Sequence, residues 1–320
     1  MKLGRIARSA LKALSYPDLN IKKNYKSYRQ IIRLTHVHFL RPFYTIWDHK
    51  VDGGDHEIPV RIFSPKKEGE YPILLFFHGG GWVTGDIDSY NKVCANLAKH
   101  TGHMVVSVDY RLAPEHKFPA GLEDCYRVAR EIFLDNGLLN VHSRDITLIG
   151  DSAGGNLAAA LSLLAKQRGE FMPERQILIY PATYFDHSEQ SPFDSVRENG
   201  TGYLLTSKRI NDYLDLYKNS DDDLQNPCFA PLLAPDLSGQ PKTLIITAEL
   251  DPLRDEGEEY GRRLKKAGVP VKVHRIPEAL HGFFSLPPTF PQVKRCYQLI
   301  NAFLEEVAQR GKEQDAPQGE

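Results

Sequence analysis

Five short apolar runs punctuate the middle of the chain: ILLFF (73–77), MVVSV (104–108), ITLI (146–149), ILIY (177–180) and TLIIT (243–247). None alternates cleanly between apolar and polar residues. Each therefore expects burial on both faces, the condition of a strand inside a parallel sheet. The stretches between them, roughly 89–100, 119–136, 153–167 and 255–267, carry a helical pattern, as does a last one near 291–309. Strand, helix, strand, repeated in this way, implies right-handed crossovers and one central sheet with helices on both sides. Ahead of this region, YTIWDHKVD and HEIPVRIFSP flank Gly53-Gly54 as two alternating runs, a hairpin signal. The expected class is α/β with a mostly parallel sheet.

Within that frame, residues 150–156 read GDSAGGN, between the run ITLI and the small-residue run LAAALSLLA. An ordinary strand-to-helix turn needs one glycine. Here Gly150, Gly154, Gly155 and Ala153 surround a single Ser152, as though bulk beside it were excluded. The pattern is G-x-S-x-G at a strand-to-helix junction, where a sharp turn lifts a nucleophilic hydroxyl above the sheet. The helix start adds partial positive charge beside a developing anion. A tight turn carrying an incidental serine would leave the rest of the chain without matching chemistry, and the rest does match.

HGGGW (78–82) follows ILLFF. No Lys-Ser or Lys-Thr comes after it, so a phosphate-cradling loop does not fit, nor does GGGWVTGD spell a dinucleotide fingerprint. Glycine amides unobstructed by side chains suit an oxyanion hole. Gly80 and Gly81 are the candidate donors, joined by Ala153. A serine needs a base, and the base an orienting acid. In a hydrolase of this class the chain order is Ser, then Asp or Glu, then His. Asp251 follows the strand TLIITAEL, and His281 follows VKVHRIPEA, both at expected strand ends. Asp255 and Glu256 lie a turn further on and are expected to cap the helix or bind locally. Among the twelve histidines, His274 is expected inside a strand, His103 and His116 in packing or surface roles, and His78 as an organiser of the glycine loop. His36 and His38 have strand spacing for a metal pair, but no Cys or carboxylate cluster accompanies them.

HGGGW with Gly85-Asp86, DYRLAPEHKFP (109–119), GDSAGGN, DPLRDEG and HGF together resemble the hormone-sensitive-lipase family of α/β-hydrolase esterases, which includes bacterial acetyl esterases and arylacetamide deacetylases. The resemblance covers roughly residues 71–285. It implies an α/β-hydrolase fold, a serine carboxylesterase acting on short-chain, acetyl-type esters through an acyl-enzyme, Ser152, Asp251 and His281 as the triad, and Gly80 and Gly81 in the oxyanion hole. No metal or organic cofactor is implied. Two other readings stand beside it. An amidase or deacetylase would use the same triad. Plant gibberellin receptors resemble the family but lack the histidine that is present here as His281, which ranks a non-catalytic receptor low.

The family's cap is built from N-terminal helices and an insertion after the sixth strand, which implies a division into N-terminal cap helices (1–43), core (44–183), inserted cap segment (184–222) and core (223–310), with a disordered tail (311–320). Independently, 184–222 is polar, aromatic and acidic and too long for a simple connection. Residues 1–43 hold ten Lys and Arg against the single Asp18. Their apolar residues fall at helical rather than signal-peptide spacing, so the segment is expected to be retained and to turn its apolar stripe onto the enzyme, opposite the acidic insertion. Net charge −1 argues against a nucleic-acid partner, and no apolar run is long enough to span a membrane. Four cysteines without CxxC spacing read as free thiols in a reducing, cytoplasmic setting. The expected partner is a small-molecule ester; membrane association is not expected, and a homodimer is admitted.

Overall fold

The computed structural model describes residues 20–35, 45–65, 70–134 and 141–314. Eight strands form one sheet: β1 (Thr45–Asp52), β2 (Glu57–Ser64), β3 (Ile73–Phe77), β4 (Met104–Val108), β5 (Ile146–Asp151), β6 (Arg175–Ile179), β7 (Lys242–Leu250) and β8 (Val271–Leu280). Their spatial order is β1-β2-β4-β3-β5-β6-β7-β8. β2 runs antiparallel to both β1 and β4; every other neighbouring pair is parallel. The β1–β2 hairpin closes through the Gly53 N–H, which donates to the His56 carbonyl at 2.8 Å.

The helices are α1 (Ile21–Thr35), α2 (Asn91–Thr101), α3 (Ala120–Leu134), α4 (Ala153–Arg168), α5 (Asp194–Asn199), α6 (Ser207–Tyr217), α7 (Arg254–Lys266) and α8 (Pro291–Gln314). Strands β3, β4, β5 and β6 are buried along their whole length, as their unbroken apolar runs require. Two cores result. One face packs α2 and α8 against residues such as Leu74, Phe76 and Ile246; the other packs α3, α4 and α7 against Leu75, Phe77 and Ile245.

Both parts of the expected cap region meet in space. α1 packs against α6, and Ile21 is fully buried. Lys22 on α1 pairs with Asp215 and, at 3.6 Å, with Asp212, both on α6. The basic helix and the acidic insertion therefore face one another over residues 21–35. The rest of 1–43, including His36 and His38, lies outside the described residues, apart from Asn20. One boundary moves: α8 continues to Gln314, so the first residues of the expected tail are helical. Residues 315–320 lie outside the described residues.

Candidate active site

Because β3, β5, β7 and β8 are mutually parallel, the residues following each of them emerge at one edge of the sheet, where α/β folds place their sites. Ser152 follows β5, Asp251 follows β7, His281 follows β8 and the glycine loop follows β3. The His281 Nε2 lies 2.8 Å from the Ser152 Oγ, and its Nδ1 lies 2.7 Å from the Asp251 Oδ2. A carboxylate only accepts, so Nδ1 carries the hydrogen and Nε2 is left to accept the serine proton. Asp251 is fully buried and also receives the Leu253 N–H on Oδ1 at 3.0 Å. The ring of Tyr180 lies against His281, centroids 4.8 Å apart.

Ser152 has φ 55° and ψ −119°. That conformation costs a non-glycine residue on the order of 1–3 kcal/mol and persists only where its surroundings impose it. Here they do. The Ser152 N–H donates to the Ile179 carbonyl at 2.8 Å, and the Asn156 N–H to the Ser152 carbonyl at 3.0 Å. The absence of bulk around the serine now has a cause: a Cβ on Gly150 would strike the Gly154 carbonyl, and one on Gly154 would strike the Phe77 carbonyl. Strand, elbow and helix touch backbone to backbone.

The loop after β3 makes a tight turn. Gly80, Gly81 and Trp82 have φ 115°, 62° and 58°. Thr84 N–H and Oγ–H both donate to the Gly80 carbonyl at 2.9 Å. Among the described residues, the bonds that hold the loop do not use the N–H groups of Gly80, Gly81 or Ala153. All three residues line the cavity that also holds Ser152 and His281. A Cβ at Gly81 would run into the Tyr213 ring of α6, so the insertion seals the loop from above.

His78 fits its expected structural role. It is fully buried with Nδ1 2.8 Å from the Gly79 carbonyl, and burial pushes it down to about 4. His274 sits in β8 as expected. Asp255 binds locally as expected, pairing with the adjacent Arg254 at 2.7 Å, but also reaches beyond its helix, and Glu256 differs from expectation in reaching only outward. Asp255 accepts the Ser195 N–H of α5 at 2.7 Å. Glu256, fully buried, accepts the N–H groups of Thr183 and Tyr184 at 2.6 and 3.1 Å, and pairs with His187 at 2.6 Å. They anchor the inserted segment to α7, because that segment brings unpaired backbone donors over the helix start.

Sequence reasoning missed Asp151, although it stands inside the GDSAGGN motif. Its buried carboxylate accepts the Gly79 N–H at 2.9 Å and the Tyr90 hydroxyl at 3.1 Å. It thereby ties the serine turn to the glycine loop. Loss of water raises its pKa to about 6 against these stabilising bonds. The four cysteines are free thiols. Among the described residues no group of His, Cys, Asp and Glu forms a metal cluster, and no helix is long and apolar enough to cross a membrane.

A mostly parallel sheet with a serine elbow, an acid and a histidine at the ends of β5, β7 and β8 defines an α/β-hydrolase. Residues 74–285 match a family described as having the alpha/beta hydrolase fold. An arylesterase of Saccharolobus solfataricus is 38% identical, over 81% of this chain and 83% of its own. An ethyl acetate hydrolase of Pseudomonas putida is 37% identical, over 72% of this chain and 73% of its own. The structure of a hyperthermophilic esterase from the archaeon Pyrobaculum calidifontis superimposes with TM-score 0.84 at 36% identity, covering 96% of this chain and 99% of that one. The chain belongs to the hormone-sensitive-lipase-like family of α/β-hydrolase esterases and is a carboxylic-ester hydrolase.

Proposed function

We propose that the enzyme cleaves short-chain acyl esters through a Ser152 acyl-enzyme. The Ser152 Oγ attacks the ester carbonyl while its proton passes to the His281 Nε2. Asp251 holds Nδ1–H and stabilises the imidazolium that forms. Negative charge gathers on the former carbonyl oxygen, where the N–H groups of Gly80, Gly81 and Ala153 receive it. Collapse expels the alcohol, which takes the proton from His281. Water then gives a proton to the same nitrogen as it attacks the acyl carbonyl, and collapse frees the acid while the departing Ser152 Oγ takes that proton back from His281.

The observation that carries this mechanism is the unbroken row from Asp251 through His281 to Ser152, at 2.7 and 2.8 Å. Chain-length preference rests on the cavity. The space at Ser152 measures about 200 Å³ and is walled by apolar groups of Trp82, Ala182, Leu205, Ile210 and Leu253. Walls this close around Ser152 suit a short acyl chain. Across Gly80 and Tyr213 a wider cleft of about 660 Å³ opens toward Tyr28, Lys92 and Pro288, with room for a bulkier alcohol. The name of the Pseudomonas putida relative, an ethyl acetate hydrolase, agrees with a small acyl group. The free thiols support a cytoplasmic setting.

A panel of p-nitrophenyl esters, acetylated sugars and arylamides tests this reading. Acetyl to butyryl esters should have the highest kcat/KM, with a steep fall for octanoyl and little turnover of amides. A maximum at octanoyl or longer would refute the small acyl pocket. Faster turnover of the arylamides would make the enzyme an amidase first.

A further inference from the structure

Arg29 lies on α1, yet its guanidinium works on the glycine loop. Its Nε donates to the Val83 carbonyl at 2.7 Å, and its Nη2 donates to the Ala113 carbonyl at 2.8 Å. Glu115 accepts from both Nη groups, at 3.1 and 3.0 Å, and the cation also sits over the Tyr25 ring at 5.0 Å. Val83 and Ala113 are fully buried, and both carbonyls take their side-chain donor from Arg29. The Ala113 N–H in turn donates to the Trp82 carbonyl at 2.9 Å. Arg29 and residue 113 thus grip the two carbonyls that directly follow the candidate oxyanion donors.

The turn they grip is the strained part of the site. Three successive residues have positive φ, and the third, Trp82, is not a glycine. A backbone in this region holds its shape only when its surroundings over-determine it. Within the loop, the Gly80 carbonyl takes up Val83 N–H and Thr84 N–H; the outward carbonyls of Trp82 and Val83 need partners from outside. We propose that Arg29 is a positioning residue: α1 fixes the oxyanion turn through it, so the N-terminal helix acts on the chemical step as well as on the pocket wall. The proposal rests on the oxyanion role assigned above to Gly80 and Gly81.

The test uses full-length Arg29→Met, Arg29→Lys and, as a control on the same helix, Lys22→Met, which breaks the pairs with Asp212 and Asp215 but touches no loop carbonyl. Each is checked for thermal unfolding. Phenyl acetate kinetics and inhibition by phenylboronic acid, which forms a tetrahedral adduct on the serine, are then measured. A misplaced catalytic group of this kind costs on the order of 10- to 100-fold. Arg29→Met should lower kcat by that factor with KM within about twofold, and raise the boronate inhibition constant in parallel. Arg29→Lys, keeping one charged donor, should recover part of both. Lys22→Met should leave kcat within twofold.

Three results would overturn the inference: unchanged kcat in a folded Arg29→Met, a rise confined to KM, or an equal kcat loss in Lys22→Met. If wild-type enzyme itself bound boronate no better than Ser152→Ala does, the oxyanion reading would fall, and this inference with it. Boronate binding that depends on Ser152 but ignores Arg29 would sink this inference alone.

Discussion

Asp251→Asn should disable the enzyme almost completely, and the structure shows why no rearrangement rescues it. Asp251 uses both oxygens: Oδ2 faces the His281 Nδ1 at 2.7 Å, and Oδ1 accepts the Leu253 N–H at 3.0 Å. An amide has one oxygen for these two donors. If its oxygen faced His281, its NH₂ would meet the Leu253 N–H, donor against donor, in a fully buried place. The lower-energy arrangement keeps the oxygen on Leu253 and points the NH₂ at His281. The imidazole must then accept at Nδ1 and carry its hydrogen on Nε2, facing Ser152, so it cannot take the serine proton. The same tautomer error in a serine-protease triad costs about 10⁴ in kcat, equivalent to about 5.5 kcal/mol of barrier. Asp255→Asn removes charge from the Ser195 N–H and Arg254 contacts, which lie outside the row. There kcat/KM should stay within about tenfold, with stability falling by about 1 kcal/mol for a weakened half-buried bond. Steady-state hydrolysis of p-nitrophenyl acetate and urea unfolding, run on both variants, give the comparison. Equal losses of activity, or a larger loss at 255, would refute the choice of acid and the flip argument together.

Stability should also carry a signature of Asp151. Its folded pKa of about 6 lies above the ordinary carboxylate value, so the folded state binds the proton more tightly. Its contribution is fully present well below pH 4 and lost as pH rises through 6, about 3 kcal/mol in all; in urea unfolding between pH 4 and 7, the difference between wild type and Asp151→Asn should change by most of that, about 2 kcal/mol, and a constant difference would contradict it. Gly81→Ala should cut kcat at least tenfold, because its Cβ meets the Tyr213 ring and the residue has φ 62°; activity near wild type would show that the turn tolerates displacement. Deleting 1–43 should raise KM, lower kcat and change acyl-length preference, while the full-length protein stays off anionic liposomes at physiological salt; sedimentation with them, lost on truncation without any kinetic change, would make the segment a membrane anchor.

What the sequence made legible follows from how local each device is. GDSAGGN and HGGGW are legible because positive φ and close backbone contact demand glycine at fixed places within a few residues, even where the backbone they touch, such as the Phe77 carbonyl, lies far off in the chain. Asp251 and His281 could be named as candidates because parallel strands deliver their ends to one edge, where the structure brings both beside Ser152. Arg29 was not legible: its partner Val83 is 54 positions away, and an arginine in a basic helix carries no mark of where it reaches. Glu256 reads as a helix-start acid until the fold lays Thr183, 73 positions earlier, above it. Tyr213 over Gly81 is likewise a product of packing between the insertion and the core. Asp151 was visible within its motif, but only its burial between two loops gives it a task.

Ser152 is the nucleophile on which every step of the proposed mechanism depends. Intact-protein mass spectrometry after a p-nitrophenyl phosphonate, with peptide mapping, measures this directly alongside the activity of Ser152→Ala. The mechanism predicts one phosphonyl group per chain, located on Ser152, and a kcat loss on the order of 10⁶ in a folded Ser152→Ala that takes no label. A label on another residue, or a Ser152→Ala enzyme that still hydrolyses esters at a substantial fraction of the wild-type rate, would contradict it.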